Sequence, residues 1–170
     1  MPGEVTNIVI AGLGGQGVLK ASDVLSEAVF RAGYDVKKSE IHGMSQRGGS
    51  VSSDVRFGEE VFSPMVPPHC ADFLVVLELD QVAPNQHRLR EGGVLIDPSL
   101  LEGIKIPNRK SLNIILLGTL SVFLEIPIEI WLEAVRANLP EHLHEVNLKS
   151  FEIGREAGDR LRSEWLAAHS

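Results

Sequence analysis

Cysteine is almost absent from this chain. Cys70 stands alone among 170 residues. No intrachain disulfide can form, and no Cys cluster exists to hold an iron–sulfur centre or a structural zinc. Basic charge is also scarce, since 16 Lys and Arg face 23 Asp and Glu for a net charge of −7. That balance gives no footprint for nucleic acid, so any anion site must be local, built from a few cations or from backbone N–H groups. Long apolar runs are missing too. The longest, Ile114 to Trp131, is broken by Gly118, Glu125, Pro127 and Glu129, which excludes a membrane-spanning helix. The start, Met1-Pro2-Gly3-Glu4, has no basic n-region. No signal peptide is expected, and the chain reads as cytoplasmic. Neither an internal repeat nor a low-complexity linker interrupts it.

What is present fits an ordinary globular domain, with 44% hydrophobic and 23% charged residues. A chain of this length buries about two thirds of its unfolded surface, so one domain over 1–170 needs no covalent staple. Asn7-Ile8-Val9-Ile10-Ala11 is a β-branched run of the kind buried on both sheet faces. Val18 to Ala32 has helical spacing and ends at Gly33. Tyr34 to Lys37 is a short second strand, which completes a βαβ unit with an expected right-handed crossover. Val51–Phe57 and Glu60–Phe62 flank Gly58-Glu59 as a hairpin. Ser63 to His69 holds three prolines and is loop. Phe73 to Leu77 is a buried strand, Gln81 to Arg90 a helix closed by Gly92-Gly93, and Val94 to Ile96 a strand. Helices are expected at Asn113–Leu124, Ile128–Ala137 and Asn147–Ala168. The order predicts an α/β, Rossmann-like three-layer domain with a mostly parallel sheet, a β-hairpin insertion and C-terminal helices.

Gly12-Leu13-Gly14-Gly15-Gln16-Gly17 fits G-x-G-x-x-G between a strand and a helix. Gly12 allows the tight turn, Gly14 the approach of a phosphate, and Gly17 close helix–strand packing. The helix N-terminus behind them offers unpaired N–H groups. The plainer reading is a turn that only packs the helix. A dinucleotide site would place an acid at the end of the second strand, but here Lys37-Lys38-Ser39-Glu40 follows. Two lysines weaken the case for NAD and suit a ligand with an extra ribose phosphate, such as NADP or coenzyme A. They equally suit a solvated strand end.

Glu40-Ile41-His42-Gly43-Met44-Ser45-Gln46-Arg47-Gly48-Gly49-Ser50 is too polar for core. Arg47 beside two glycines can form an anion nest, and Ser45 and Gln46 add hydrogen-bonding capacity. His42 has no acid–base partner nearby in sequence, so it is read as a loop brace and no catalytic residue is assigned.

Three segments together carry a resemblance. They are Ile8 to Val18 with its glycine turn, Glu40 to Val51 with its His-Gly-Met-x-Gln-Arg-Gly-Gly run, and Val55-Arg56-Phe57-Gly58. In combination they resemble the gamma-type domain of 2-oxoacid:ferredoxin oxidoreductases, and the second segment is most similar to the small (beta) subunit of the indolepyruvate type. The motifs span roughly residues 7 to 100. The resemblance implies a subunit of an enzyme that oxidatively decarboxylates an aryl-2-oxoacid to an acyl-CoA and reduces ferredoxin. Thiamine diphosphate and the iron–sulfur clusters would sit in a larger partner subunit, in agreement with the single cysteine. This chain would be inactive alone and would help hold coenzyme A. By motif position, the implied binding residues are Gly12, Gly14, Gly17, Ser45, Gln46 and Arg47, with Lys37 or Lys38 beside them. The glycine turn and residues 42–49 are expected to form one phosphate-cupping rim.

The remaining features are weaker. His69-Cys70 lacks the three or four ligands of a zinc site, and His142 and His144 diverge on a helix. Glu78 and Asp80 follow a strand's C-terminal end, where Asp80 is expected to cap the next helix. Pro64-Met65-Val66-Pro67-Pro68 is either an interface patch or an ordered core loop. Two rival readings stay open. One is a stand-alone NADP-dependent reductase, opposed by the lack of a catalytic pair and of a substrate domain. The other is a ligand-free assembly module.

Overall fold

β1 (Val5–Leu13) holds the centre of the domain because it is apolar on both faces: Ile8, Val9 and Ile10 are fully buried. The computed structural model describes residues 4–43 and 49–170. Five strands form one sheet in the order β2 (Asp35–His42), β3 (Ser50–Gly58), β1, β4 (Ala71–Val76), β5 (Leu89–Ile96). The helices are α1 (Val18–Arg31), the single turn α2 (Val82–Asn85), α3 (Leu112–Ser121), α4 (Ile128–Asn138) and α5 (His144–Ala168).

The α/β class and the Rossmann-like βαβ start hold, and the sheet is mostly parallel in strand direction, with four strands running one way and β3 against them. β1–β4 and β4–β5 are parallel, whereas β3 runs antiparallel to both β1 and β2. β3 is thus wedged between the two strands of the βαβ unit. The hairpin is also different. β3 pairs with β2, from Asp35 opposite Gly58 to His42 opposite Val51, and residues 60–62 leave the sheet. They leave because the Asp35 carboxylate accepts the Val61 N–H at 2.8 Å and Val61 is buried. The second strand continues to His42, past the Lys37 end expected for it.

Residues 81–90 are the other correction. Through Arg88 they form short 3-10 turns around α2, Leu89 and Arg90 already open β5, and Gly92 and Gly93 lie inside that strand instead of closing a helix. Asp80 gives no side-chain cap to the turn it sits in. The C-terminal helices fall close to their expected spans.

The layers are lopsided. Alternate residues of the sheet, among them Ile8, Ile10, Val55, Phe57, Val75 and Ile96, face α1 and α3 in the main core. α4 packs on α1, and α5 on α3, so the four long helices share one side. The opposite face carries only a small cluster of Val9, Val66, Ala71, Leu74 and Val76. Its thin cover is pinned by Asp54, which is fully buried. Asp54 Oδ2 accepts the Val66 N–H at 2.9 Å and the Arg88 guanidinium at 2.7 Å. A buried carboxylate needs such partners. The proline loop is therefore ordered at Val66, although Phe62 and Met65 stay exposed.

Local signals explain the helix ends. α1 closes in a Schellman arrangement: Gly33, at φ 97°, donates to Phe30, and Tyr34 donates to Val29. α3 and α5 meet unusually closely. A Cβ on Gly154 would lie 1.8 Å from the Ile115 carbonyl oxygen. Thr119 Oγ1 donates across the same contact to the Gly154 carbonyl at 2.9 Å.

Two outcomes are expected. Gly154→Ala must push the helices apart and should cost about 3 kcal/mol or more, read as a lower denaturant midpoint at an unchanged slope. Asp35 titrates below its ordinary value of 3.8, chiefly because of the Val61 N–H, with Lys37 adding to the effect. A lowered carboxylate pKa means stability present at neutral pH and lost as pH falls through that lowered value. An NMR titration should place its midpoint below 3.8. Asp35→Asn should be destabilised at neutral pH and match the parent in strong acid.

Candidate functional site

Antiparallel pairing of β3 with β1 decides what lies beside the glycine turn. Gly12 is opposite Val51 and Leu13 is opposite Ser50. The Gly14 N–H then donates to the Gly49 carbonyl at 2.8 Å. The turn and the end of the 42–49 segment therefore meet, as the proposed rim requires. Between them lies a cavity of about 390 Å³, bordered by Gly14, Gly15, Gly17, Lys20, His42 and Val51.

Each glycine has a distinct physical role. At Gly12 a Cβ would lie 2.9 Å from Gln16 Oε1 and 3.1 Å from Leu77 Cβ, so the turn admits no side chain there. Gly17 caps α1 at φ 86°, and a Cβ would strike Asn113 at 2.5 Å. Gly14 and Gly15 are exposed at the cavity mouth. The N–H of Gly14 is already used by Gly49, and that of Gln16 by the Leu13 carbonyl. Donors available to an anion include the first-turn amides of α1, at Val18, Leu19 and Lys20, which have no partner within a helix. No acidic residue occupies that first turn.

Gln16 locks the turn. Its side-chain oxygen accepts the Leu13 N–H at 2.7 Å, and its amide donates to Glu78 at 2.8 Å. Glu78 follows β4, so this bridge crosses the C-terminal ends of β1 and β4. That crevice is where a doubly wound fold places its dinucleotide. A carboxylate and an amide fill it here.

Other expected residues fall elsewhere. Lys37 lies opposite Arg56, which lies opposite Asn7. Along the strands that is roughly 16 Å from Gly12. Lys37 pairs with Asp35 at 3.5 Å, and Lys38 pairs with Asp23 on α1. Neither is brought to the glycine turn. Ser45, Gln46 and Arg47 lie outside the described residues. Lys20, His42 and Asn113 were not singled out as site residues. Asn113 donates to the Gly17 carbonyl at 3.2 Å and is nearly buried. A lone amide opening an apolar helix was the signal for it. Among the described residues, no group of three His, Cys, Asp or Glu could hold a metal. No helix there is long and apolar enough to cross a membrane.

Comparison with known proteins places this geometry. The pyruvate ferredoxin/flavodoxin oxidoreductase profile matches residues 7–107, from β1 through β5 and the turn beyond it. The chain belongs to that family. It is similar to the indolepyruvate oxidoreductase subunit IorB of Thermococcus kodakarensis, at 33% identity over 91% of this chain and 96% of the relative. The 2-oxoglutarate synthase subunit KorC of Archaeoglobus fulgidus is 31% identical over 99% of this chain and 96% of that one. Among solved structures, the keto/oxoacid ferredoxin oxidoreductase gamma subunit from Geobacter sulfurreducens PCA shares the fold. Its TM-score is 0.76 at 24% identity, covering 93% of this chain and 98% of that one. The oxidoreductase match spans the glycine turn, the 42–49 segment and β3 together.

Removing the lock tests its role. Gln16→Ala leaves the Leu13 N–H without its acceptor and should cost about 1–2 kcal/mol. Native-state hydrogen exchange at Leu13 should quicken about tenfold, with little change at Val24.

Proposed function

We propose that this chain is the small subunit of a cytoplasmic 2-oxoacid:ferredoxin oxidoreductase and that its glycine-turn rim receives phosphate of coenzyme A. One observation carries the reading: the contact of Gly14 with Gly49 joins the two motif loops at a cavity headed by a helix N-terminus. Such an end supplies N–H donors and partial positive charge to a phosphate. Lys20 adds a cation at the mouth, and Arg47, five residues along the chain from His42, is the further cation assigned to it. Lys37 is left out, on its distance and its pairing with Asp35.

Redox chemistry belongs to a larger partner subunit in this reading. An iron–sulfur cluster needs several thiolates, and Cys70 is the sole cysteine. The thiamine diphosphate that stabilises the carbanion of decarboxylation would likewise be the partner's, and the isolated chain would be inactive. Similarity to subunits of indolepyruvate oxidoreductases supports an aryl-2-oxoacid as substrate. A stand-alone NADP reductase is disfavoured by two features. Glu78 sits in the crevice where a pyrophosphate would lie, and β3 separates β2 from β1.

Purification from the native source should yield a brown complex with a larger chain, which oxidises indolepyruvate faster than 2-oxoglutarate. A monomeric chain with hydride-transfer activity would reject this assignment. In the complex, Arg47→Gln should raise KM for coenzyme A about tenfold with kcat little changed. Unaltered coenzyme A kinetics in both Arg47→Gln and Lys20→Gln enzymes would remove the phosphate role.

A further inference from the structure

The outer helices leave a groove on the far side of the domain from the thinly covered sheet face. α4 rides on α1 and α5 rides on α3, so the two splay and meet only briefly. Between them opens a cavity of about 580 Å³. Ile128, Leu132 and Leu148 are half-buried along its floor, and Phe151 lies beneath. Glu145, Glu152, Glu156 and Asp159 stand exposed around it, against Lys149 and Arg155. Arg155 is turned inward, where it donates to Ser121 Oγ at 2.9 Å. None of the four carboxylates has an ion pair or hydrogen bond among the described residues.

We infer that this α4–α5 groove seats a basic amphipathic helix of the larger subunit, with apolar anchors on the Leu132–Leu148 floor and Lys or Arg against the acidic rim. The inference rests on the subunit assignment above and adds where the partner binds. A helix laid in a groove reads as apolar anchors at i, i+3 or i+4 and i+7, and a floor supplied by two helices matches that shape. Charge decides the occupant. A second copy of this chain would bring the same acidic rim against its own, and like charges facing one another oppose association. A small ligand is disfavoured as well, because such sites combine apolar walls with convergent polar groups. Here the inward guanidinium is already taken, and the other polar groups lie on the rim.

The test uses the assembled complex. Small-subunit variants are Glu152→Lys with Glu156→Lys, the milder Glu152→Gln with Glu156→Gln, and Leu132→Ser. The rim residues are exposed, so the fold should survive their change, with circular dichroism as the check. Charge reversal should weaken binding to the larger subunit about tenfold or more and flatten its salt dependence. The Gln pair should fall between, and Leu132→Ser should weaken binding while keeping the salt slope. Wild-type affinity and salt slope in the charge-reversed pair would overturn the groove as the seat. So would variants that change only self-association of the small chain. Failure of the wild-type chain to assemble at all would instead overturn the subunit assignment, and the groove inference with it.

Discussion

The insertion of β3, antiparallel, between β1 and β2 is the constraint on which this domain depends. An all-parallel βαβ start would bring β2 beside β1 and leave the residues after β2 free of the glycine turn. With β3 between them, the chain leaving β2 at His42 must return along β1, which brings Gly49 to Gly14. A backbone hydrogen bond at 2.8 Å from Gly14 to Gly49 then fastens the turn to the end of that segment. The same insertion sets the cavity beside the glycine turn apart from the β1–β4 crevice, which the Gln16–Glu78 bridge closes. The fold thus keeps the glycine turn and helix N-terminus of a nucleotide-binding domain and changes what they face.

Electrostatics follow from that arrangement. A chain of net charge −7 repels anions at long range, so phosphate must be held by short-range donors in a screened setting. The first turn of α1 has no acidic residue, and Lys20 stands at the mouth. The acidic excess is spent elsewhere, partly around the α4–α5 groove. A partner with a basic surface would then serve two ends: it would neutralise this chain and could complete the anion site from outside.

Much of this was legible in sequence, and the failures have physical causes. The glycine turn, α1 and the buried strand β1 follow from local rules: a β-branched run, three glycines, then helical spacing. The helices after residue 112 were readable from apolar periodicity. Strand order was not, because pairing direction is a tertiary choice that no local pattern encodes. Glu60–Phe62 had hairpin chemistry, yet the bond from Val61 to Asp35 drew it off the sheet. Gly92 and Gly93 read as a helix stop but sit in an edge strand, where they are tolerated. The motif put Gly12, Gly14 and Gly17 at the turn between a strand and a helix, which is where they lie. Lys37 was misplaced because the expected strand ended too early, putting mid-strand residues at a strand end. Asn113 is distant in sequence and reaches Gly17 only through packing.

In the proposed function the joined loops touch coenzyme A in the assembled enzyme. A photoreactive coenzyme A analogue, activated in the intact complex and mapped by mass spectrometry, tests it directly. Labelled peptides are expected from the glycine turn and first turn of α1, or from the segment between His42 and Val51, with protection by excess coenzyme A. Labelling confined to the larger subunit would contradict it.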